Sequence, residues 1–392
     1  MTREIQFSAE RIPVASGRGK ASLTVNRRRL LLVGPKPPPI GGSPLTVQAL
    51  LAEFIHYSEL EITLINTSPG MDVRKKMTGF NLEKVRRSMT ILPAFIHHIS
   101  RTDAALVFSN DLFSITLVPL LRGIAWLFRK PFYLKPVAAS LDMFISRLNP
   151  ILRRYLLFVL RSCNGVLPQT KVLAAELTNL GCRNVHYLPG CRPLQLNDVG
   201  KRQKDGIFRL IYLGHITRRK GILFLMQAMS QLANAGNGKI ICDFYGPIHE
   251  EILEEFYEQL SLIPSVFYRG QVEPGSSIEL IAGYDTLVLP TYFDTEGHPG
   301  VIIEAMQAGI PVISTRIRSL PELVTDGENG LLVPPQDASS LAQAIQALSS
   351  DQELTERMGA ANKERGAEFT TEVVTANLIN ILFSGSRLTL TP

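Results

Sequence analysis

Short apolar runs alternate with stretches of helical period along almost the whole chain, and the alternation occurs twice. The first series is LLLVG (30–34), EITLIN (61–66), AALVFS (104–109), PFYLKP (131–136), GVLPQ (165–169) and NVHYLP (184–189). Helical stretches separate these runs at 44–57, near 82–100, near 111–129, at 147–162 and at 170–180. The second series is FRLIYLG (208–214), KIICDFYG (239–246), SVFYRG (265–270), TLVLP (286–290), PVIST (311–315) and GLLVP (330–334). Its helices fall at 219–235, 249–261, 276–282, after Gly300, and at 337–349, 352–367 and 371–383. A strand that is apolar on both faces is covered on both faces, and a helix between two such strands is the crossover that makes them parallel. The pattern predicts an α/β chain of two Rossmann-like, doubly wound domains. The first spans 30–190, a polar linker 191–206, the second 207–370, and a last helix with its tail 371–392. Ligands of such sheets bind beyond the carboxyl ends of the strands, and two such sheets facing each other make a cleft.

The net charge of +6 is unevenly spread. Residues 1–29 carry seven Lys/Arg against two acids and read as a disordered basic extension. Residues 112–162 carry eight Lys/Arg against one acid, Asp142, which leaves the remainder of the chain net acidic. No interleaving of aromatic and basic residues accompanies this charge, so no nucleic-acid partner is expected. An anionic membrane surface is the partner that residues 112–162 suit better. Within them, RLNPILRRYLLFVLR (147–161) spaces Arg147, Arg154 and Arg161 by seven, on one stripe of an expected helix. Both an ordinary crossover helix and a helix lying on a membrane fit that stripe. The closest approach to a membrane span, LFSITLVPLLRGIAWLF (112–128), is broken by Pro119 and Arg122. The four cysteines lack metal-ligand spacing, and no apolar stretch follows the early basic residues as it would in a secretory leader. A cytoplasmic location, at the inner face of the membrane, is the expectation.

The chemistry concentrates in PTYFDTEGHPGVIIE (290–304). Glu296 and Glu304 bracket a Gly-His-Pro-Gly turn that opens a helix. The start of a helix offers backbone N–H groups to an anion. An ionised carboxylate only accepts hydrogen bonds, so acids at either end of the loop suit hydroxyl groups. A ligand with phosphate and several hydroxyls, such as a nucleotide sugar, satisfies both. Three further features align with this one: Gly41–Gly42 after the first strand, LGHITRRKG (213–221) with Lys220 at a helix start, and LPELVTDGENGLLVPPQD (320–337). In isolation Lys220 would be an ordinary solvated lysine, Gly41–Gly42 a turn, and Glu304 a complement to a helix dipole.

These segments carry a resemblance. LGxxxxxKG at 213–221, EGHPGVIIEAMQAGIPVIST at 296–315 and PELVTDGENGLLVPPQD at 321–337 resemble the retaining glycosyltransferases of family 4, which have the two-Rossmann GT-B fold. The likeness is dense over 205–370, looser over 30–200 through PPPIGG (37–42) and QTK…LPGCRP (169–193), and absent over 1–29. It implies a metal-independent transferase with no cofactor, moving a sugar from a nucleoside-diphosphate donor to a glycan or lipid-linked acceptor in polysaccharide or glycolipid assembly. It further implies that Glu296 contacts the donor sugar, and that Lys220 neutralises the pyrophosphate. The backbone of Gly297, His298, Pro299, Gly300 and Val301 would hold sugar and phosphate. Glu304 would take the ribose hydroxyls, Gln271 and Val272 would face the base, and Gly41 and Gly42 would approach the phosphates. The family's usual arginine after the glycine of the Lys220 motif is His215 here, itself a candidate donor ligand or else a neutral filler, with Arg218 or Arg219 as the alternative source of the charge. The family's histidine after the fourth strand is missing from YLKPVAASLD, leaving Lys135 or Asp142 as acceptor-side groups. The last helix would cross back to the first domain. Two other readings share the fold: a nucleotide-sugar epimerase, and a non-catalytic glycan-assembly protein in which His215 marks lost activity.

Overall fold

The computed structural model describes residues 9–12, 27–38, 41–68, 82–194, 205–236, 239–273 and 275–383. The chain forms two compact units. One comprises Met1–Cys191 with Thr371–Pro392, and the other Arg192–Thr370.

The first unit runs β1 (Ala9–Ile12), β2 (Arg28–Gly34), α1 (Gly42–Phe54), β3 (Leu60–Asn66), α2 (Leu82–Ile99), β4 (Ala104–Ser109), α3 (Asp111–Thr116), α4 (Val118–Leu127), β5 (Phe132–Pro136), α5 (Leu141–Arg147), α6 (Pro150–Ser162), β6 (Gly165–Val166) and α7 (Lys171–Asn179). Its sheet order is β1-β3-β2-β4-β5-β6, parallel except for β1. Leu30, Leu31, Leu32 and Val33 are all fully buried, because β2 lies in mid-sheet with helices on both faces. One core layer joins Phe95, Leu121, Ala125, Leu156, Leu160 and Leu173. The opposite layer joins Val47, Leu50 and Phe54 of α1 with Val374, Leu378 and Leu382, residues from the far end of the chain.

Three expectations are corrected here. Ala9–Ile12, inside the stretch expected to lack order, is a strand paired antiparallel with β3, from Ala9 opposite Ile65 to Ile12 opposite Ile62. The remainder of 1–26 and most of the linker, residues 195–204, lie outside the described residues. The helix expected at 147–162 is two helices. Arg147 ends α5, Leu148 is extended, and Pro150 begins α6 with Asn149 capping Leu152 N–H at 2.9 Å. The run at 184–189 contributes one bridge, Val166 to Val185, rather than a strand.

The second unit runs β7 (Phe208–Leu213), α8 (Ile222–Asn234), β8 (Ile240–Tyr245), α9 (Leu253–Leu262), β9 (Val266–Tyr268), α10 (Ser277–Ala282), β10 (Thr286–Leu289), α11 (Gly300–Ala308), β11 (Val312–Thr315), α12 (Leu320–Leu323), β12 (Gly330–Val333), α13 (Ala338–Ser350) and α14 (Gln352–Gly366). A 3-10 turn, Arg218–Lys220, precedes α8. α15 (Thr371–Leu382) returns to the first unit and packs on α1. The second sheet is wholly parallel in the order β12-β11-β10-β7-β8-β9. Successive strands step outward from β7 through β8 to β9, then from β10 through β11 to β12 on the other side. The boundary between β7 and β10 is thus the topological switch point, where a doubly wound sheet opens a crevice.

Among the described residues, no helix is long and apolar enough to cross a membrane. All four cysteines are buried and unpaired with one another.

A buried amide network anchors α14. Asn362 Nδ2 donates to Ile310 O at 2.7 Å and to Asn329 O at 2.6 Å, while Asn329 Nδ2 donates to Asn362 Oδ1 at 2.8 Å. Buried amides left unpaired cost about 1–3 kcal/mol each. Asn362→Ala should therefore lower unfolding free energy by about 2–3 kcal/mol, read as a fall in the urea midpoint at constant slope.

Candidate functional site

The turns leaving β7 and β10 meet at the switch point. Tyr292 N–H donates to Arg219 O at 3.0 Å, and Thr291 Oγ1 donates to the same carbonyl at 3.3 Å. Gly221 takes φ +77° beside them, and a Cβ there would lie 1.9 Å from Pro290 O. Only glycine allows this approach of backbone to backbone.

The approach brings Lys220 to Glu296. Lys220 Nζ lies 2.5 Å from Glu296 Oε2, and Thr291 Oγ1, whose single proton is shared between this carboxylate and Arg219 O, lies 3.1 Å from the same oxygen. The Glu296 loop is held from behind by Ser319 Oγ, 2.9 Å from Glu296 O and 2.7 Å from Gly297 O. α11 follows at once, with Pro299 as its N-cap and no side-chain cap. Helices α6, α7, α13 and α14 are capped by Asn149, Thr170, Asp337 and Asp351, whereas α1, α4, α5, α8, α10 and α12 share the open start of α11. The first-turn N–H groups of α11 are thus left without a capping side chain, beside a cation and an acid.

Glu304 lies one turn into α11 and already holds a partner that sequence reading did not find. Arg192 Nε donates to Glu304 Oε1 at 2.7 Å, with both side chains 12% exposed. The guanidinium lies across Gly300, where a Cβ would fall 1.6 Å from Arg192 Nη2. Gln307, one turn further along α11, donates from Nε2 to Arg192 O at 3.3 Å. Arg192 is no bland linker residue: it occupies the mouth of α11, between the glycine and the acid expected to meet a donor.

The remaining expected residues divide. His298 is buried, its Nε2 3.1 Å from Glu322 Oε2 and its ring edge-on to Phe369 at 6.1 Å. Its ring is therefore turned inward, and its backbone belongs to the loop that opens α11. Arg218 pairs with Glu255 at 2.6 Å, and Arg219 lies over the Phe293 ring at 5.6 Å, so neither guanidinium stands beside Lys220. His215 leaves the end of β7, and its carbonyl accepts from Tyr212 Oη at 2.7 Å. Partial burial, then the charges of Lys220 and His249, lowers its pKa below the ordinary imidazole value. It is therefore uncharged at neutral pH. Gln271 and Val272 follow β9 in an irregular, partly exposed loop, and Val301 continues the first turn of α11.

In the first unit, Gly41 caps α1 without a side chain, and a Cβ on Gly42 would meet nothing within 4 Å. Lys135 is turned inward: Nζ donates to Leu188 O at 2.8 Å, and burial pushes its pKa down to about 8. It is committed to that carbonyl rather than to an acceptor. Asp111, which sequence reading passed over, stands at the end of β4, beside the first unit's own switch point between β2 and β4. Burial raises its carboxyl pKa, and Ser140 Oγ donates to it at 3.3 Å.

Residues 196–365 match the family model described as glycosyl transferases group 1. The chain is 28% identical over 205 residues to the O-antigen chain mannosyltransferase B of Escherichia coli, covering 52% of each chain. It is 29% identical over 169 residues to the D-inositol 3-phosphate glycosyltransferase of Corynebacterium diphtheriae, covering 41% of this chain and 39% of that one. The chain thus spans about half or less of the length of these two curated relatives. Among solved structures, a glycosyltransferase from Rickettsia africae superposes with TM-score 0.71 at 14% identity, over 92% of this chain and all of the other. Anabaena HepE, solved in complex with UDP, superposes with TM-score 0.69 at 15% identity, over 91% of this chain and all of the other. These likenesses show the fold, the expected GT-B class of two parallel-sheet α/β units.

The Arg192–Glu304 pair makes a separate prediction. Contacting, largely buried charges couple by about 0.5–3 kcal/mol. A double-mutant cycle of Arg192→Met and Glu304→Gln on urea unfolding should give more than about 1 kcal/mol of coupling. Strictly additive costs would show that the pair does not form in solution.

Proposed function

We propose, from the match of residues 196–365 to the glycosyl transferases group 1 family model, that the chain is a glycosyltransferase acting on a nucleoside-diphosphate sugar. The observation that carries this reading is the Lys220–Glu296 pair at the switch point, beside the uncapped start of α11. The donor would be a nucleoside diphosphate linked to a sugar, and the acceptor a hydroxyl of a glycan or lipid-linked glycan in polysaccharide assembly. UDP in HepE supports the diphosphate part of the donor. Glycan-building names among the relatives support the acceptor.

The chemistry required is departure of a diphosphate from the anomeric carbon. The C–O bond to the β-phosphate breaks, and negative charge grows on the leaving oxygen. Lys220 and the first N–H groups of α11 are donors in place before reaction, which is how a protein stabilises developing charge without reorganising. The acceptor oxygen attacks from the face the diphosphate leaves, and its proton passes to a phosphate oxygen, so configuration is retained. Glu296 accepts from hydroxyls of the sugar and Glu304 from those of the ribose. Arg192 must yield Glu304 for the ribose to bind, which frees its guanidinium for the diphosphate. That second cation takes over from the uncharged His215. Lys220, Arg192 and the helix amides carry the leaving-group charge, so no metal is required. Asp111, half-buried beside the first unit's switch point, is the acceptor-side carboxylate in this reading.

Titration calorimetry with uridine and guanosine diphosphates should show binding to at least one, and Glu304→Ala should weaken it about tenfold, a loss of about 1.4 kcal/mol. Absence of binding to any nucleoside diphosphate would sink the proposal. Lys220→Met should lower donor turnover about 10²–10³-fold, the usual effect of removing one charge-stabilising donor. Turnover should persist in EDTA; its loss there, restored by a divalent cation, would remove metal independence from the reading.

A further inference from the structure

We infer that the outer face of α6 and its neighbour α4 is a docking surface for an anionic phospholipid bilayer, with a phosphate-binding groove along one side of α6. The core side of α6 is accounted for by Leu156, Leu157, Val159 and Leu160. Its solvent side carries Ile151, Tyr155 and Phe158 at i, i+4 and i+7, one stripe of a helix, with Ile151 81% and Phe158 69% exposed. α4 packs against α6, and Arg122 of α4 donates from Nε and Nη2 to Ser162 O at the end of α6, at 2.8 and 2.6 Å. Both helices feed the same core layer, so their outer faces look the same way. α4 adds Leu120, Trp126 and Leu127, of which Trp126 is 70% exposed. Large aromatic and aliphatic groups in this number on one flank mark an interaction surface.

The charge beside the stripe selects the partner. A groove of about 260 Å³ runs along α6, lined by Leu148, Pro150, Arg153, Arg154, Leu157 and Arg161. Arg161 is fixed in its wall by donating to Leu180 O at 2.5 Å. Several other arginines are matched by acids, as in Arg209–Asp205, Arg269–Asp243 and Arg316–Asp326. Among the described residues, no carboxylate pairs with Arg147, Arg153 or Arg154, and Asp142 is the only acid in 112–162. An apolar stripe beside unneutralised guanidinium groups matches the two layers of a bilayer surface. The stripe enters the acyl boundary while the arginines meet phosphates above it, their stems lying along apolar surface. The Pro150 break sharpens the arrangement. It detaches Arg147 from the helix but keeps Arg153, Arg154 and Arg161 around one groove.

The inference does not rest on glycosyl transfer, since lipid binding is read without donor or acceptor. The test is co-sedimentation of the full chain with vesicles of phosphatidylcholine alone and of phosphatidylcholine with about one-third phosphatidylglycerol. Retention on the mixed vesicles is expected to exceed that on neutral ones about tenfold or more and to fall at high salt, as screening requires. Arg153→Gln with Arg154→Gln should remove the preference for anionic lipid. Phe158→Ser with Tyr155→Ser should weaken binding to mixed vesicles while leaving the thermal midpoint near that of the parent chain. The salt series on the unaltered chain serves as the check should a variant fail to fold. Equal binding to both vesicle types, or none to either, would overturn the inference. So would self-association abolished by Phe158→Ser in the absence of vesicle binding, which would assign the face to a second copy.

Discussion

In the second unit, two loops leave neighbouring strands on opposite sides of the switch point and are stitched together by main chain. The Arg219 carbonyl receives two hydrogen bonds from the Thr291–Tyr292 segment, and Gly221 lies against the Pro290 carbonyl at a distance no side chain permits. Everything distinctive about the site follows from that approach. It brings Lys220 onto Glu296 and fixes where α11 begins. It also makes the start of α11 the converging point of a cation, an acid and the amides of a helix start that has no side-chain cap. Because the Tyr292–Arg219 bond and the Gly221–Pro290 contact are backbone to backbone, the geometry is set before any ligand arrives, which is the condition under which electrostatic stabilisation is most effective.

The charged groups neutralise one another in the meantime. Glu296 has Lys220 and Glu304 has Arg192, each pair largely withdrawn from water. Partly buried charges cost several kcal/mol each when unpaired, so the internal pairs are what makes an unliganded site of this composition stable. A ligand with both phosphate and hydroxyl groups can exchange with these pairs without leaving any charge uncompensated. A purely anionic ligand would free two carboxylates next to itself, and a neutral polyol would leave two cations. The pairing therefore discriminates by the composition of the ligand as well as by its shape.

Much of this is legible in the chain because it is local. Glu296, the turn, Gly300 and Glu304 lie within nine residues, and strand-loop-helix periodicity fixes how they stand to one another. Lys220 could be joined to them only through the order of strands, which the alternation implies. Arg192 had no such signal. It reaches Glu304 across 112 residues of chain, from the edge of a polar segment with no periodicity. The His298 ring had no local signal either: Glu322 and Phe369, distant in sequence, draw it inward. Lys135 is a similar case, its ammonium spent on a main-chain carbonyl. The helix break at Leu148–Pro150 was visible as a proline, but apolar periodicity on both sides hid it. β1 is short and lies amid polar chain, and only tertiary pairing with β3 makes it a strand.

The chain passes into the second unit at Arg192 and out of it at Thr370, and these two points are bridged. Arg192 N–H donates to Phe369 O at 3.0 Å, and the Arg192 and Thr370 backbones pair as parallel strands do. The second unit is therefore an insertion into the first, entered and left through one paired doorway rather than hung on a single tether. Arg192 belongs to both the doorway and the start of α11: its main chain forms half of the bridge, and its side chain closes on Glu304. Whatever takes that carboxylate from it handles the one residue that the entry to the unit and the mouth of α11 have in common.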